Sequence, residues 1–270
     1  DWQPLHFNAM IYKTDYHIHT VFSDGKEGPQ KCIDEARKKG LREIGFSDHV
    51  NPANARQKWC MDHDRLPEYF ETILKLRKQY PDIEVRIGVE LDYIPNTLPE
   101  TEKILDSFPF DYVIGSVHYM GDETVDLGPE FYVGKDIDLV YENYFNLVTE
   151  AASTGFFDII GHPDLVRIHR YRPEGDISQL YGMLAAAFEV HDVAFEVNTN
   201  GRNKPLRSFY PDMKYIGLFA QHGVPVCVNS DAHFPERIGQ YFDEAYDLLR
   251  RAGYSEMAVF KNRERYMIPF

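Results

Sequence analysis

Metal-binding side chains recur along this sequence, each at the end of a short apolar run. The first pair is His17-Ile18-His19, at the end of the predicted strand Ile11–Ile18. Residues two apart on a β-strand point to the same side, so both imidazoles can reach one ion from a single rigid element. This spacing alone is weak evidence for a ligand pair, because histidines at strand ends are often exposed or hydrogen-bonded.

The same residue types follow later apolar runs, and together these positions hold six of the eleven histidines. Taken singly, His118 is explained as a buried core histidine, Glu90 as a surface carboxylate and Asp231 as a helix cap. Separate explanations for each residue do not account for the recurrence of these residue types at the ends of successive strands. The later runs end in Ser47-Asp48-His49, Glu90-Leu91-Asp92, Ser116-Val117-His118, Gly161-His162-Pro163-Asp164 and Asn229-Ser230-Asp231-Ala232-His233.

The residue types indicate the chemistry of the predicted site. His, Glu and Asp ligands without Cys are typical of hydrolytic Zn, Mn or Fe sites, and the candidates outnumber the ligands of one tetrahedral ion. The sequence therefore predicts two or three divalent metal ions. Such a cluster can activate water and bind phosphate oxygens, which favours attack on phosphorus. Cys32, Cys60 and Cys227 lack a C-x-x-C spacing, which argues against a cysteine zinc site or a disulfide framework.

Short β-branched or aromatic runs alternate with longer segments of helical periodicity over the whole chain. This alternation predicts an α/β fold with a parallel sheet, and the lack of a Ser/Gly-rich linker favours one closed barrel. The carboxyl ends of barrel strands meet at one edge, where distant residues converge. The predicted strands are Ile11–Ile18, Glu43–Ser47, Val85–Asp92, Tyr112–Val117, Phe157–Gly161, Ala194–Val197 and Val224–Asn229, and the predicted helices are Gln30–Lys39, Leu66–Gln79, Asp138–Ser153, Ile177–His191 and Glu236–Ala252.

The sequence predicts the structure of the two chain ends less fully than that of the barrel. Residues 1–10 are predicted to be an N-terminal extension, and residues 11–270 the single barrel domain. The segment Met257–Phe270 begins with a possible strand, Ala258–Phe260, and then becomes charged. The sequence leaves open whether this segment completes the barrel or covers it.

Composition excludes several classes of protein. Of the 270 residues, 43% are hydrophobic and 27% are charged, which is typical of a globular chain with its own core. A net charge of −14 repels polyanions, so we expect no nucleic-acid partner. No apolar run approaches the roughly 20 residues that span a bilayer, which indicates no membrane partner and a cytoplasmic location. These features do not determine the oligomeric state.

The motifs, in their chain order, resemble those of the PHP (polymerase and histidinol phosphatase) superfamily over about residues 14–236. The resemblance implies a distorted (β/α)7 TIM-like barrel with a trinuclear metal site at the carboxyl edge of its strands. The segments that carry it are Asp15-Tyr16-His17-Ile18-His19-Thr20, Phe46-Ser47-Asp48-His49, Gly88-Val89-Glu90, Gly115-Ser116-Val117-His118, Gly161-His162-Pro163 and Asn229-Ser230-Asp231-Ala232-His233.

The resemblance also implies a role for each motif residue. Relatives carry a further histidine shortly after the H-x-H motif, whereas position 25 here is glycine, so we expect Asp24 to replace it. Glu90, Asp231, His233 and Asp24 are the implied catalytic residues. The implied ligand sets are His17, His19, Glu90 and Asp231 for the first ion, Glu90, His118 and His162 for the second, and Asp24, His49 and His233 for the third.

The implied activity is that of a metal-dependent phosphomonoesterase in which a metal-bound hydroxide attacks phosphorus. The segments Glu90-Leu91-Asp92-Tyr93-Ile94-Pro95 and Gly115-Ser116-Val117-His118-Tyr119 resemble histidinol-phosphate phosphatases, which implies L-histidinol phosphate as substrate and a role in histidine biosynthesis. The alternative is a PHP phosphoesterase acting on nucleotides or short oligonucleotides. A catalytically idle metal-binding barrel is a third hypothesis, which the complete ligand sets disfavour. A metal-bound water, Asp24 or His233 each suits the role of leaving-group acid.

Arginines after the fifth and sixth strands are the predicted substrate-binding residues. Arg167 and Arg202 lie on the functional edge, and a guanidinium can hold two phosphate oxygens at once. Solvated surface arginines are equally common, so the pattern does not exclude that role. Weaker candidates from the same loops are His169, Arg170 and Arg207.

Neighbouring residues are predicted to support this site. Asp48 and Asp164 are expected to orient histidines rather than to bind metal. The loop Pro52–Asp64 is a candidate lid for the ammonium and imidazole groups of the substrate, although packing over the barrel rim explains it as well. Its suitable side chains are Trp59, Asp62 and His63.

Overall fold

A computed structural model describes residues 13–53 and 57–270 of the chain. In this part, eight strands form one parallel sheet and four more form two antiparallel pairs. In chain order the strands are β1 (Thr14–Asp15), β2 (Glu43–Phe46), β3 (His49–Val50), β4 (Glu84–Asp92), β5 (Tyr112–Ser116), β6 (Tyr119–Met120), β7 (Glu123–Thr124), β8 (Ile159–Ile160), β9 (Ala194–Asn198), β10 (Val226–Asn229), β11 (Glu256–Lys261) and β12 (Glu264–Pro269).

The parallel sheet is a nearly closed barrel. Its strand order is β1-β2-β4-β5-β8-β9-β10, and β3 pairs with β4 beyond β2, so that β2 and β3 share one of seven positions. A bridge between Ile18 and Ala232 joins the two ends of the sheet. Beside it, the Tyr16 backbone N–H donates to Asn229 Oδ1 over 2.8 Å. The structure confirms the predicted single-domain α/β barrel with seven strand positions.

The buried carboxylate of Asp15 strengthens this closure. It accepts hydrogen bonds from the Ser230 backbone N–H at 3.0 Å, the Ser230 hydroxyl at 2.5 Å and the Gly239 N–H at 2.9 Å. Burial, partly offset by these bonds, raises the pKa of Asp15 to about 6. The contacts fasten the loop that carries Asp231 to the strand that precedes His17.

Helices cover the outside of the barrel, and all five predicted helices are present. Two further helices, Leu98–Ser107 and Ile216–Gln221, were not predicted; the second has six residues, which contain too few turns to show a clear periodicity. The predicted helix Glu236–Ala252 begins only at Phe242, since a 3₁₀ turn precedes it and Gly239 has a positive φ of 68°. The helices are α1 (Pro29–Lys38), α2 (Leu66–Gln79), α3 (Leu98–Ser107), α4 (Ile137–Ser153), α5 (Ser178–Val190), α6 (Ile216–Gln221) and α7 (Phe242–Ala252).

The C-terminal segment covers the barrel and does not complete it. Strands β11 and β12 pair as an antiparallel hairpin. The Phe260 backbone N–H donates to the Tyr16 hydroxyl over 3.2 Å. At the hairpin turn, the Arg263 N–H donates to the carbonyl of Asp111, which directly precedes β5. The predicted strand Ala258–Phe260 therefore belongs to a longer strand at the amino-terminal end of the barrel, opposite the strand ends that carry the predicted ligands.

The predicted boundary between residues 10 and 11 and the start of the predicted strand Ile11–Ile18 lie outside the described residues. The described part of that strand is shorter than predicted, with pairing at Thr14–Asp15 and one bridge at Ile18. Among the described helices, none has the length and apolar character needed to cross a membrane.

Candidate metal centre

The nine predicted ligands meet at the carboxyl edge of the barrel strands. They form four overlapping groups, and within each group one ligand atom of every side chain lies within 4.8 Å of the others. All are buried except Asp24 and His233, which are partly exposed. The groups are His19, Asp24, His49 and His233; His17, His19 and Asp231; His17, Glu90 and His162; and His49, Glu90 and His118.

Glu90, near the end of β4, lies between two sets of histidines. Its Oε2 atom is 2.6 Å from His49 Nδ1 and 3.2 Å from His17 Nε2. Its Oε1 atom is 3.0 Å from His162 Nε2 and 3.7 Å from His118 Nε2. One carboxylate thus has imidazoles on both sides, which is the arrangement that a ligand shared by two ions requires.

Asp231, in the loop after β10, is the second buried carboxylate of the centre. Its Oδ1 atom lies 3.3 Å from His19 Nε2 and 3.5 Å from His233 Nδ1, and its Oδ2 atom accepts a hydrogen bond from Asn198 at 3.2 Å. Asp231 and His162 both have left-handed backbones, with φ of 48° and 24°. Such conformations cost about 1–3 kcal/mol each and concentrate at functional sites.

Asp24 reaches the place that the resemblance gave to a missing histidine. Its two carboxylate oxygens lie 3.2 Å from His233 Nε2 and 3.8 Å from His49 Nε2. Gly25 packs against the preceding turn so closely that a Cβ atom would overlap the His19 carbonyl. A side chain at position 25 is therefore incompatible with this backbone, and Asp24 is the residue that completes the group.

Two further carboxylates orient the histidines. Glu196 Oε1 lies 2.7 Å from His17 Nδ1, and Asp92 Oδ1 lies 2.6 Å from His118 Nδ1, so each histidine directs Nε2 towards Glu90. Such contacts set the tautomer of metal-binding imidazoles. The sequence prediction missed this role. Strand alternation could have found it, because Asp92 shares a face with Glu90 and Glu196 is a lone charge inside the apolar strand β9.

Asp48 and Asp164, which the sequence predicted in that role, have other partners. Asp48 accepts hydrogen bonds from the backbone and hydroxyl of Thr20, and so holds the turn after the H-x-H motif. Asp164 pairs with Arg167 over 2.7 Å. Among the described residues, neither carboxylate has a histidine ring as a hydrogen-bond partner, because hydroxyl, backbone and guanidinium donors bind them instead.

Replacing Asp92 by asparagine is expected to weaken metal binding about 10- to 100-fold, the usual effect of losing such a support. Burial opposes a charged His118, but the hydrogen bond and charge of Asp92 outweigh it and raise the pKa of His118 to about 10. Competition with a chelating indicator measures the metal affinity. Asp82→Asn is the matched control, since Asp82 pairs with Arg37 on the exposed surface. Equal affinities of D92N and D82N would contradict the role of Asp92.

The electrostatics of the centre favour the ligand forms of its carboxylates and of His19, whereas nearby carboxylates outweigh burial and raise the pKa of His17, His49 and His118, so a metal ion would displace protons from those three. Burial raises the pKa of Glu90, but His49 and His17 outweigh it and hold that pKa well below its usual range. The same balance of burial against nearby histidines holds the pKa of Asp231 well below its usual value. Burial, with the charge of His49, lowers the pKa of His19 to about 3. Ionised carboxylates and neutral imidazoles are the forms that bind metal.

Several polar atoms of the centre are buried without a hydrogen-bond partner among the described residues. They are Nε2 of His17, Nε2 of His19 and Oδ1 of Asp24. Buried polar groups are normally satisfied, because each unpaired group costs about 1–3 kcal/mol. Converging nitrogen and carboxylate donors without partners suit divalent metal ions. The residues present therefore fit a multinuclear metal centre.

A cavity of about 250 Å³ opens onto this centre. Six of the predicted ligands line it, together with Trp59 of the candidate lid and with further wall residues that the sequence analysis did not name. Two of these, Lys204 and Tyr210, follow β9 in the same loop as Arg202. The sequence analysis therefore predicted that this loop contributes to substrate binding but did not name these two residues. The cavity wall includes Trp59, Asp126, Lys204 and Tyr210.

Arg167 and Arg202 do not line the cavity, in contrast to the sequence prediction. Arg167 is only 4% exposed, and Asp164 holds its guanidinium at 2.7 Å. Arg202 forms an ion pair with Glu244 of α7. Carboxylates outside the cavity thus pair with both guanidinium groups, and Lys204 is the cationic side chain that lines the cavity in the described part of the chain. The weaker candidates that also lie outside the cavity lining are His169, Arg170 and Arg207.

The predicted lid loop contributes one aromatic side chain to the cavity wall. Trp59 lines the cavity, and its ring meets the ring of His49 edge-on at 5.0 Å. His63 instead binds a backbone carbonyl at 2.8 Å, and neither His63 nor Asp62 lines the cavity. Residues 54–56 of this loop lie outside the described chain.

Fold and donor set together define a (β/α) barrel with a candidate multinuclear metal centre at its carboxyl edge. The family model of the PHP domain matches residues 15–200, and the chain therefore belongs to the PHP domain family. This finding confirms the family resemblance of the sequence motifs.

The similar proteins include several histidinol-phosphatases. One, named "Probable histidinol-phosphatase", from Deinococcus radiodurans, is 34% identical over 256 residues, which cover 93% of this chain and 97% of the relative. The histidinol-phosphatase of Lactococcus lactis is 31% identical, with coverage of 92% and 94%. The crystal structure of a Lactococcus lactis histidinol phosphate phosphatase, complexed with zinc, L-histidinol and phosphate, has a TM-score of 0.82 and 29% identity, and covers 94% of this chain and 99% of that chain.

Proposed function

We propose that this chain is a metal-dependent L-histidinol-phosphate phosphatase, which hydrolyses histidinol phosphate to histidinol and phosphate. The position of Glu90 carries the proposal, because its carboxylate faces histidines on both sides beside a cavity open to a small ligand. Similarity to histidinol-phosphatases over nearly the whole chain supports the choice of substrate. The proposal includes a role in histidine biosynthesis, a cytoplasmic location, and a small phosphomonoester as the binding partner.

The proposed centre holds three divalent ions, with zinc, manganese and iron as the candidates. Bound ions of this kind lower the pKa of water and neutralise charge on phosphoryl oxygens. Glu90 is proposed as the ligand shared by the first two ions, because it lies at the junction of two of the groups. The proposed sets are His17, His19, Glu90 and Asp231; Glu90, His118 and His162; and Asp24, His49 and His233.

The protein itself supplies rigid positions and a place for a proton-donating water. Glu196 and Asp92 hold two of the histidines, so little reorganisation is needed when charge develops on the substrate. Asp24 and His233 are the partly exposed members of the centre and lie 3.2 Å apart on the cavity wall. As ligands both are deprotonated at the atoms that face the ion, so a water held beside this pair is proposed to give the leaving alcohol its proton.

Charged side chains on the cavity walls match the two ends of the proposed substrate. The Lys204 ammonium has no carboxylate partner among the described residues and suits the phosphate. The Asp126 carboxylate likewise lacks an ion-pair partner there and suits the substrate ammonium. Trp59 offers an aromatic surface between ligand and solvent.

Turnover by the metal-loaded enzyme separates this proposal from a nucleotide-directed phosphoesterase. Values of kcat/KM are compared for histidinol phosphate, a nucleoside 3′,5′-bisphosphate and an aryl phosphate. We expect a preference for histidinol phosphate above about tenfold, equivalent to about 1.4 kcal/mol of differential transition-state binding. A smaller preference would contradict the proposed substrate.

Replacing Lys204 by methionine is expected to raise KM for the phosphate ester about tenfold and to change kcat little. The ammonium binds phosphate in both the ground state and the transition state, so its loss removes uniform binding. Steady-state kinetics measure both constants, and Arg202→Met is the comparison, since Arg202 pairs with Glu244 outside the cavity. A raised KM in R202M with a normal KM in K204M would instead support the sequence prediction.

A further inference from the structure

The hydroxyl of Tyr210 has no hydrogen-bond partner among the described residues, although it is buried beside the candidate metal centre. The residue is 1% exposed and lines the same cavity as the predicted metal ligands. Buried tyrosine hydroxyls usually find a partner, because an unpaired polar group is costly. An orphan hydroxyl on a residue that lines the cavity is available to a ligand that the cavity receives.

The surrounding backbone holds Tyr210 in place. Its carbonyl accepts from the Asn198 N–H at 2.7 Å, and its own N–H donates back to the Asn198 carbonyl at 3.1 Å. Gly201 makes room for this arrangement, since a Cβ there would overlap the Ser208 carbonyl and lie 2.9 Å from the Tyr210 ring. The Tyr210 ring centre lies 6.3 Å from that of His162. The hydroxyl is thus presented by a rigid segment next to the centre.

The phenol is a neutral group with one O–H donor. Its ordinary pKa is about 10, so it stays protonated at physiological pH. A neutral donor beside a cationic centre and the Lys204 ammonium is complementary to an anion, and it carries no charge that would repel the ions.

We propose that the Tyr210 hydroxyl donates a hydrogen bond to a non-bridging phosphoryl oxygen of the substrate, and to inorganic phosphate after hydrolysis. The inference rests on the proposed function for the identity of the ester, but the contact with phosphate does not depend on it. Lys204 supplies positive charge at this wall, and the Tyr210 hydroxyl supplies a directional hydrogen bond that orients the phosphoryl group. The pair takes the place that the sequence prediction gave to Arg167 and Arg202.

Tyr210→Phe tests the contact, because phenylalanine keeps the ring and removes only the hydroxyl. Tyr246→Phe is the matched control, since Tyr246 in α7 also has a buried hydroxyl without a described partner but does not line the cavity. Calorimetry gives the Kd of inorganic phosphate for each metal-loaded protein, kinetics give kcat and KM, and elemental analysis gives the metal content. We expect Y210F to keep its metal, to bind phosphate about tenfold more weakly, and to lose about 10- to 100-fold in kcat/KM. We expect Y246F to match the wild type.

Unchanged phosphate affinity in Y210F would overturn the proposal, and so would equal losses in Y246F or a loss of metal from Y210F. The first result would place the hydroxyl away from phosphate, and the others would assign the effect to the fold or to the metal ligands. If the wild-type protein binds phosphate but does not hydrolyse histidinol phosphate, the proposed function fails. The phosphate affinities of the two variants still decide the role of Tyr210 in that case.

Discussion

Replacement of Glu90 by glutamine is expected to lower kcat/KM by about three orders of magnitude or more. Glutamine keeps the shape of the side chain but carries no negative charge. Its NH₂ group replaces one carboxylate oxygen and places a donor against His49 or His162. Charge stabilisation by a metal site is worth several kcal/mol, and a loss of about 4 kcal/mol corresponds to a factor of roughly 10³. The loss should appear in kcat, because the bridging position supports both ions that the proposed chemistry uses.

Elemental analysis and steady-state kinetics on the same preparation check this prediction. Glu84→Gln is the matched control on the same strand, since Glu84 is exposed and pairs with Arg86 at the far end of β4. Circular dichroism establishes that both variants fold. An E90Q protein with full metal content and near-normal turnover would contradict the bridging role and, with it, the proposed metal centre.

Removal of metal by a chelator is expected to abolish hydrolysis and to lower the melting temperature by about 10 °C. A ligand present at about 1,000 times its Kd stabilises the folded state by about 4 kcal/mol. In a protein of this size each kcal/mol shifts the melting temperature by about 2–4 °C. The physical cause is local, because removal of the ions would take the counter-charge from the ionised carboxylates of Glu90 and Asp231 and leave buried ligand atoms such as His19 Nε2 unsatisfied.

Differential scanning calorimetry before and after chelation measures the shift, and addition of zinc should restore both stability and activity. The E90Q variant serves as the control, since chelation should change its melting temperature much less. A metal content below about one equivalent after reconstitution would contradict the multinuclear proposal. Persistent activity in metal-free protein would contradict the proposed metal dependence.

The convergence of the candidate ligands, which the sequence predicted, has a geometric origin. His17 and His19 share a face because strand residues alternate, and Glu90, His118 and His162 meet because parallel strands end at one edge. The same alternation applies to Asp92, which was not recognised as a partner of His118. Backbone periodicity therefore places the short, stiff side chains of this centre well.

Strand periodicity did not predict where the guanidinium groups of the two arginines lie. Arg167 and Arg202 lie on the predicted edge, but Asp164 and Glu244 bind their guanidinium groups away from the cavity. A long side chain can reach in several directions, and the charges it meets decide between them. Those charges come from segments that only folding brings close, as Glu244 of α7 illustrates.

By itself the sequence determined the barrel class, the family and the set of side chains that meet at its carboxyl edge, because these depend on local periodicity and on strand ends. Only the tertiary structure decided which cation lines the cavity, which carboxylates orient His17 and His118, and that the Tyr210 hydroxyl has no described partner. These features depend on pairing between residues far apart in the chain, and pairing is a property of three-dimensional packing that no local pattern contains.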